Sequence, residues 1–420
     1  MKQNSKCTPI AAVLMAAAFT NAGLSQESPA TAKLTTIHTF KQGVKPTGTI
    51  IMDQAGAIYG ATSTGGAFEG GIVYQLTPPV APGSGWTETV LHSFGNYPDG
   101  TEPLSTGLVF DTQGRLYGTT YAGGQYDFGT VFQLTPPVSS GGEWSEAVLY
   151  SFADGYDGAY PETGLVIDQN GVLYGTTFDG GGTVCAGYGC GVVFSLTPPA
   201  VDGGAWSEED ILAFPESGFN GYGPSGPLLM AGDGTLYGMN PGRTGYNGSF
   251  LYELKPPVSA GRAWRERVVE GFGAYIQPEG LTFGRQSALY GTTNAGGSSG
   301  GGWVYLLTPP ARPGDDWPET VLYNFGAPGD GAVPIAGVVF GPKGQIYGTT
   351  SAGGANGFGT IYEMNRPTVS GGPWSETLLY SFANAGDGAA PADLVIDSSG
   401  ALYGIAIGQN SPGTIFMFVP

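Results

Sequence analysis

Only two histidines, His38 and His92, occur in 420 residues. A Ser-His-Asp triad, a His-based lyase and a His-ligated metal centre all need imidazoles, so this scarcity argues against each. Both stand at a strand position that other repeats fill with Tyr150, Tyr323 or Tyr380, and read as packing residues. Positive charge is also scarce: 15 Lys and Arg face 34 Asp and Glu, giving a formal charge of −19 and a pI near 4.3. Such a surface repels phosphate backbones, which excludes nucleic acid as a partner. Charged residues make up 12% of the chain, half of the ~25% usual in soluble domains.

Long apolar runs are missing too. Ile10 to Phe19 is too short for the ~20 residues that a membrane-spanning helix needs. With Lys2 and Lys6 before it and Gly23-Leu24-Ser25 after it, the run reads as an export signal over residues 1–25, with a linker over 26–33. The expectation is a soluble, monomeric protein, secreted or periplasmic, with no membrane span in the mature chain. Cleavage would remove Cys7 and leave Cys185 and Cys190, which predict a local disulfide in an oxidising compartment. Two thiols without a nearby His or third Cys fall short of a tetrahedral metal site.

Glycine (75) and proline (32), by contrast, are abundant and regularly placed. One phrase returns seven times: Ile58-Tyr59-Gly60, Leu116-Tyr117-Gly118, Leu173-Tyr174-Gly175, Leu236-Tyr237-Gly238, Leu289-Tyr290-Gly291, Ile346-Tyr347-Gly348 and Leu402-Tyr403-Gly404. The spacing of 53 to 63 residues, with short β-branched and aromatic runs between turn signals, predicts radially repeated sheets of four antiparallel strands. Asp53 to Gly56, Asp111 to Gly114, Asp168 to Gly171 and Asp397 to Gly400 read as tight hairpin turns. The glycine inside each second strand reads as room for a bulky side chain from the neighbouring sheet.

The ends of the chain suggest how the ring closes. Residues 34–40 match the fourth-strand pattern, whereas Thr414 to Pro420 is only a third strand. The prediction is an all-β, seven-bladed propeller over residues 34–420, whose first strand completes the last blade.

The phrase also resembles the choice-of-anchor tandem-repeat GloVer proteins of bacteria, most closely in Leu116 to Thr120 with Gly123-Gly124 and in Ile346 to Thr350 with Gly353-Gly354. The resemblance, over roughly 34 to 420, implies an exported repeat protein without a settled activity or transferable catalytic residues. It also implies frequent tethering by a C-terminal sorting segment, where this sequence stops at Pro420.

Residues present in most repeats are expected to serve the fold, and departures from the repeat to serve function. Trp-x-Glu, in six copies from Trp86/Glu88 to Trp374/Glu376, reads as packing. Asp99, Asp157, Asp330 and Asp387 read as turn residues, with a Ca²⁺ site as the alternative; no other cofactor is expected. Glu162, Glu279 and Asp393, placed just before the innermost strand, are the candidate catalytic acids, because glycoside cleavage needs paired carboxylates. Tyr126, Asp127, Arg243, Tyr246 and Asn247, with Phe68, Glu69 and Tyr188 nearby in type, form the candidate ligand platform of aromatic, acidic and amide groups. The leading expectation is a binding or scaffold module for an extracellular glycan or a surface protein. A carboxylate-dependent glycan hydrolase is the alternative, and a Ca²⁺-stabilised structural protein the second.

Overall fold

The computed structural model describes residues 33–420 except 82, 96, 105–106, 140, 184, 202, 216–222, 242–247, 260–261, 274, 313, 370 and 409–411. The proposed export signal and linker lie outside the described residues but for Lys33, as do Arg243, Tyr246 and Asn247.

Seven four-stranded antiparallel sheets form the propeller, and in six of them the strands run from the channel outward in chain order. Blade one is typical: Pro46–Met52, Ile58–Thr62, Ile72–Thr77 and Thr87–Ser93. Blade seven begins with Pro391–Ile396, Leu402–Ala406 and Thr414–Val419. Its outermost strand is Lys33–Thr39, running antiparallel to Thr414–Val419 with Leu34 opposite Phe418 and Thr39 opposite Thr414. The first strand therefore closes the ring, as the sequence predicts. A register shift between Thr36 and His38 matches the shift at Val131/Phe132 between the outer strands of blade two, so the borrowed strand has the geometry of an internal one.

The repeated phrase can be read residue by residue. Leu116 is fully buried in the core between blades one and two. The Tyr117 hydroxyl donates to Asp111 Oδ2 (3.2 Å), tying the second strand to the hairpin turn before it. Its ring meets Trp206 of the next blade at 6.2 Å, as Tyr403 meets Trp86 at 6.0 Å across the closure, which gives the Trp-x-Glu tryptophans their packing role. The first Thr bonds the next blade: Thr119 Oγ1 donates to the Thr163 carbonyl (3.1 Å). The second, Thr120, bonds its own loop at the Ala122 carbonyl (3.0 Å).

The glycine corrects an expectation. The side chain filling its space comes from the same blade, not the neighbouring one. Gly118 lies directly opposite Phe132 in the ladder, and a Cβ there would sit 2.6 Å from the Phe132 ring and 3.0 Å from Leu108. Glycine opposes an aromatic in this way in every blade: Tyr74, Phe132, Phe194, Tyr252, Tyr305, Tyr362 and Phe416. A directly opposed pair puts the ring across the bare backbone, which is nearer than any adjacent sheet.

The neighbouring blade then packs on that ring. Phe40, Phe94, Phe152, Phe214, Phe272, Phe325 and Phe382, each just past a fourth strand, touch the next blade's aromatic with centroids 5.0 to 5.4 Å apart. Seven hydrophobic clusters result, one at each seam.

Gly118→Ala should lower the unfolding free energy by about 1–3 kcal/mol through overpacking. Gly85→Ala, with nothing within 4 Å of the added carbon, should change it little. Denaturant melts of the two variants check the difference.

Candidate functional site

Loops entering the innermost strand and loops joining strands two and three share one face, because they pair with each other. Gly100-Thr101 pairs with Ala122-Gly123, Gly158-Ala159 with Asp179-Gly180, and Gly331-Ala332 with Ala352-Gly353. The proposed Ca²⁺ aspartates anchor this pairing or its equivalent. Asp157 accepts from the Tyr150 hydroxyl (3.1 Å) and the Ala153 and Gly158 amides (both 2.9 Å). Asp330 and Asp387 accept from Tyr323 and Tyr380 in the same manner. In blade two the partner of Asp99 is His92, at 2.8 Å.

Two residues per blade stand above the channel mouth: the one before the proline that opens the innermost strand, and the one just after the second strand. In blade one these are Lys45 and Ser63, and in blade six Val333 and Ser351, each pair joined by a backbone hydrogen bond of 2.9 Å. Blade three supplies Tyr160 and Phe178 (3.1 Å), and blade five Gln277 and Asn294 (3.0 Å). The backbone is repeated but the side chains are not. Such variation on a periodic frame suits an asymmetric ligand.

Blades two and three make the aromatic side of this rim. Tyr121 and Tyr160 stack with centroids 4.9 Å apart and planes 27° off parallel, and Phe128 meets Tyr160 edge-on at 5.5 Å. Tyr160 adopts φ +57°, the left-handed region costly for a bulky residue, and its amide donates to the Phe128 carbonyl (2.9 Å). Both tyrosines remain partly exposed.

Carboxylates surround these rings. Burial pushes the Tyr121 phenol up, and Glu162, Tyr160, Asp179 and Glu102 add to the shift in that order. Glu162 is itself raised, first by burial and then by Asp179. Asp179 is raised by burial and then by Asp154. The disulfide Cys185–Cys190 (Cα–Cα 5.4 Å) lies in the loop that carries Asp179. Tyr126 and Asp127 belong to the Phe128 loop; Tyr126 is exposed, and Asp127 Oδ1 accepts from the Gly123 amide (3.1 Å). Phe68, Glu69 and Tyr188 are exposed on loops of the same class.

The three candidate acids take different places. Glu162 precedes the strand Val166–Ile167, whereas Glu279 and Asp393 lie within their strands, correcting the expectation that all three come before them. Glu162 and Glu279 each follow the proline directly; Asp393 is one residue further, at the offset where Gly48 and Gly280 stand in blades one and five. A Cβ at Gly280 would strike the Gly337 backbone of blade six, so this level is where innermost strands touch. Burial raises Glu279 to about 8 against the opposing Asn294 Nδ2 donor (3.1 Å). It raises Asp393 to about 7 against the Leu394 amide. The charged neighbour that raises Glu162 is Asp179.

Sequence reasoning reached Glu162, Tyr126 and Asp127 but missed Tyr121, Tyr160 and Asp179. A signal existed: tyrosine before Pro161, where other blades carry Lys45, Glu102, Gly223, Gln277, Val333 or Ala390.

A sequence profile described as the Gloeobacter/Verrucomicrobia repeat matches residues 16–252 and 277–420. No curated protein matches the chain in sequence. In fold the chain is similar to a puromycin-hydrolyzing peptidase of Mycobacterium tuberculosis (12% identity, TM-score 0.55), covering 89% of this chain and 51% of that one. It is also similar to the extracellular domain of a putative hybrid two component system from B. thetaiotaomicron (9% identity, TM-score 0.52), covering 91% of this chain and 39% of that one. The chain thus spans about half or less of these proteins, and at such identities the likeness extends to fold alone.

The raised acids predict a pH dependence. Unfolded carboxyls titrate near ~4, so between that pH and the folded value of about 8 for Glu279 the folded state binds the extra proton. Unfolding free energy therefore falls as pH rises through this window. Glu279→Gln should melt higher than the parent at pH 9, by on the order of 2 °C, and level with it at pH 4. Thermal melts at the two pH values check this.

Proposed function

The chain belongs to the Gloeobacter/Verrucomicrobia repeat family, and from that premise we propose that this member is an exported binding module whose ligand is an extracellular glycan. The glycan seats on the rim cluster of Tyr121, Tyr160, Glu162 and Asp179. The observation that carries the reading is the stacked tyrosine pair, strained at Tyr160 and partly open to solvent, with acids at its edge. An aromatic face takes the C–H face of a sugar ring while carboxylates accept its hydroxyl protons. Tyr126 and Asp127 extend the surface outward, and Gln277 and Asn294 supply amides across the mouth. The disulfide supports a place outside the cytoplasm. Among the described residues no helix is long and apolar enough to cross a membrane.

Cleavage of the glycan is the second reading. It draws support from Glu162, whose raised carboxyl suits a general acid and which has a second carboxylate, Asp179, for a neighbour. Binding without turnover is the favoured reading, because burial and a like-charged neighbour raise both Glu162 and Asp179, and among the described residues neither has a cation that would hold it ionised as base or nucleophile. The Ca²⁺ reading has less support, since the carboxylates of Asp157, Asp330 and Asp387 are already met by hydroxyl and amide donors.

A glycan array followed by calorimetry tests the proposal. Tyr160→Ala should weaken the best glycan about tenfold or more, the loss of one stacked ring, without releasing reducing ends in parent or variant. Binding indifferent to Tyr160 and Tyr121 contradicts the site. Reducing-end release that Glu162→Gln abolishes contradicts the binding-only reading.

A further inference from the structure

We propose that His92, Asp99 and Glu146 form a binding site for a first-row divalent metal cation, of which Zn²⁺ is the probe, at the outer seam between blades one and two. Each residue offers one donor atom, and the three atoms lie within 4.8 Å of one another. His92 Nε2 and Asp99 Oδ2 are 2.8 Å apart, with side chains 22% and 10% exposed. Glu146 arrives from the outermost strand of blade two, Ser145–Ser151, and so belongs to a different sheet from His92. Its Oε1 is shut off from solvent and has no hydrogen-bond partner. Glu208 and Glu376 leave the same oxygen without a donor at two other seams, so the orphaned oxygen belongs to the repeat, and the imidazole beside it is what makes a cation its fitting partner here.

The same seat elsewhere in the ring shows what is special here. At the next seam Tyr150 donates to Asp157, and at a third Tyr323 donates to Asp330, with Glu208 and Glu376 in the place of Glu146. A phenol held well above its ordinary titration range serves as a hydrogen-bond donor and stays protonated. Imidazole meets Asp99 as a donor too, but unlike a phenol it can change tautomer and turn the Nε2 lone pair to a cation held by the two carboxylates. One nitrogen and two carboxylate oxygens suit Zn²⁺ or a similar first-row ion, whereas Ca²⁺ prefers six to eight oxygens.

The donors are held in place. The His92 ring packs edge-on against Phe94 (4.6 Å), and Asp99 Oδ1 accepts from the Gly100 amide (2.7 Å). These contacts leave His92 Nε2 and Asp99 Oδ2 as the atoms turned to the metal. A cleft of 1050 Å³ lined by Phe68, Tyr97 and Trp144 opens onto the three residues, giving an entry path and room for water in the remaining coordination positions.

Zn²⁺ titration of the metal-stripped protein by calorimetry, with Co²⁺ absorption as the spectroscopic readout, tests the site. One equivalent should bind, and His92→Tyr should weaken it by about tenfold or more. That variant recreates the tyrosine arrangement of the other seams and should fold; if it does not, Glu146→Gln supplies the same test. His38→Tyr, which alters the only other histidine, should leave binding unchanged. Absence of binding by the parent, or an equivalent that survives both His92→Tyr and Glu146→Gln, overturns the proposal, as does equal loss in His38→Tyr.

Discussion

An aromatic ring laid over a glycine, and pressed from outside by a phenylalanine of the preceding blade, is the contact on which this molecule depends. It occurs at Phe94–Phe132 over Gly118 and again at Phe40–Tyr74 over Gly60, where the chain's first strand meets its first blade. Each ring pair contributes about 0.5–1.5 kcal/mol beyond the apolar area it buries. The larger effect is geometric, because the glycine lets the ring lie flat enough to reach the next sheet. Remove the glycine and the ring stands off; remove the phenylalanine and the seam loses its outer wall.

Because this contact recurs at each seam, with Thr, Tyr and Trp ties added at several of them, it leaves the loops free to differ. The rim uses that freedom: Lys45 on blade one, Tyr160 on blade three and Gln277 on blade five occupy one backbone position with three chemistries. The outer seams use it as well, with His92 where Tyr150 and Tyr323 stand. Both the glycan reading and the metal reading follow from single departures on a repeated frame. They lie on different parts of the molecule and neither needs the other.

The ring, its blade count and its closure were legible in the sequence because they rest on a Leu/Ile-Tyr-Gly phrase repeated seven times, on Asp-to-Gly turns in four of the repeats, and on the fourth-strand likeness of residues 34–40. The disulfide was legible from two cysteines five positions apart, Cys185 and Cys190, in a chain whose first residues read as an export signal. Contacts across a seam were not. Gly118 shows the limit within a blade, since spacing marks the room without saying whose side chain fills it. Glu146 shows the limit between blades: as one of six Trp-x-Glu copies it reads as packing, yet it lies beside a histidine more than fifty positions earlier. Likewise the three acids all fall near the start of the innermost strand, but their one-residue difference in offset from the proline took on meaning only in the structure, where Asp393 stands with the innermost glycines and Glu162 beside Asp179.

Ring closure by the first strand is the central claim, and amide hydrogen exchange on a chain lacking residues 33–40 tests it most directly. The account predicts that the amides of Thr414–Val419 lose protection, and that the Gly60–Tyr74 seam loosens once Phe40 is gone. Blades three to five, far from the joint, should stay protected longer. Unchanged protection at Thr414–Val419 would contradict the closure, and with it the placing of the loops around a common channel.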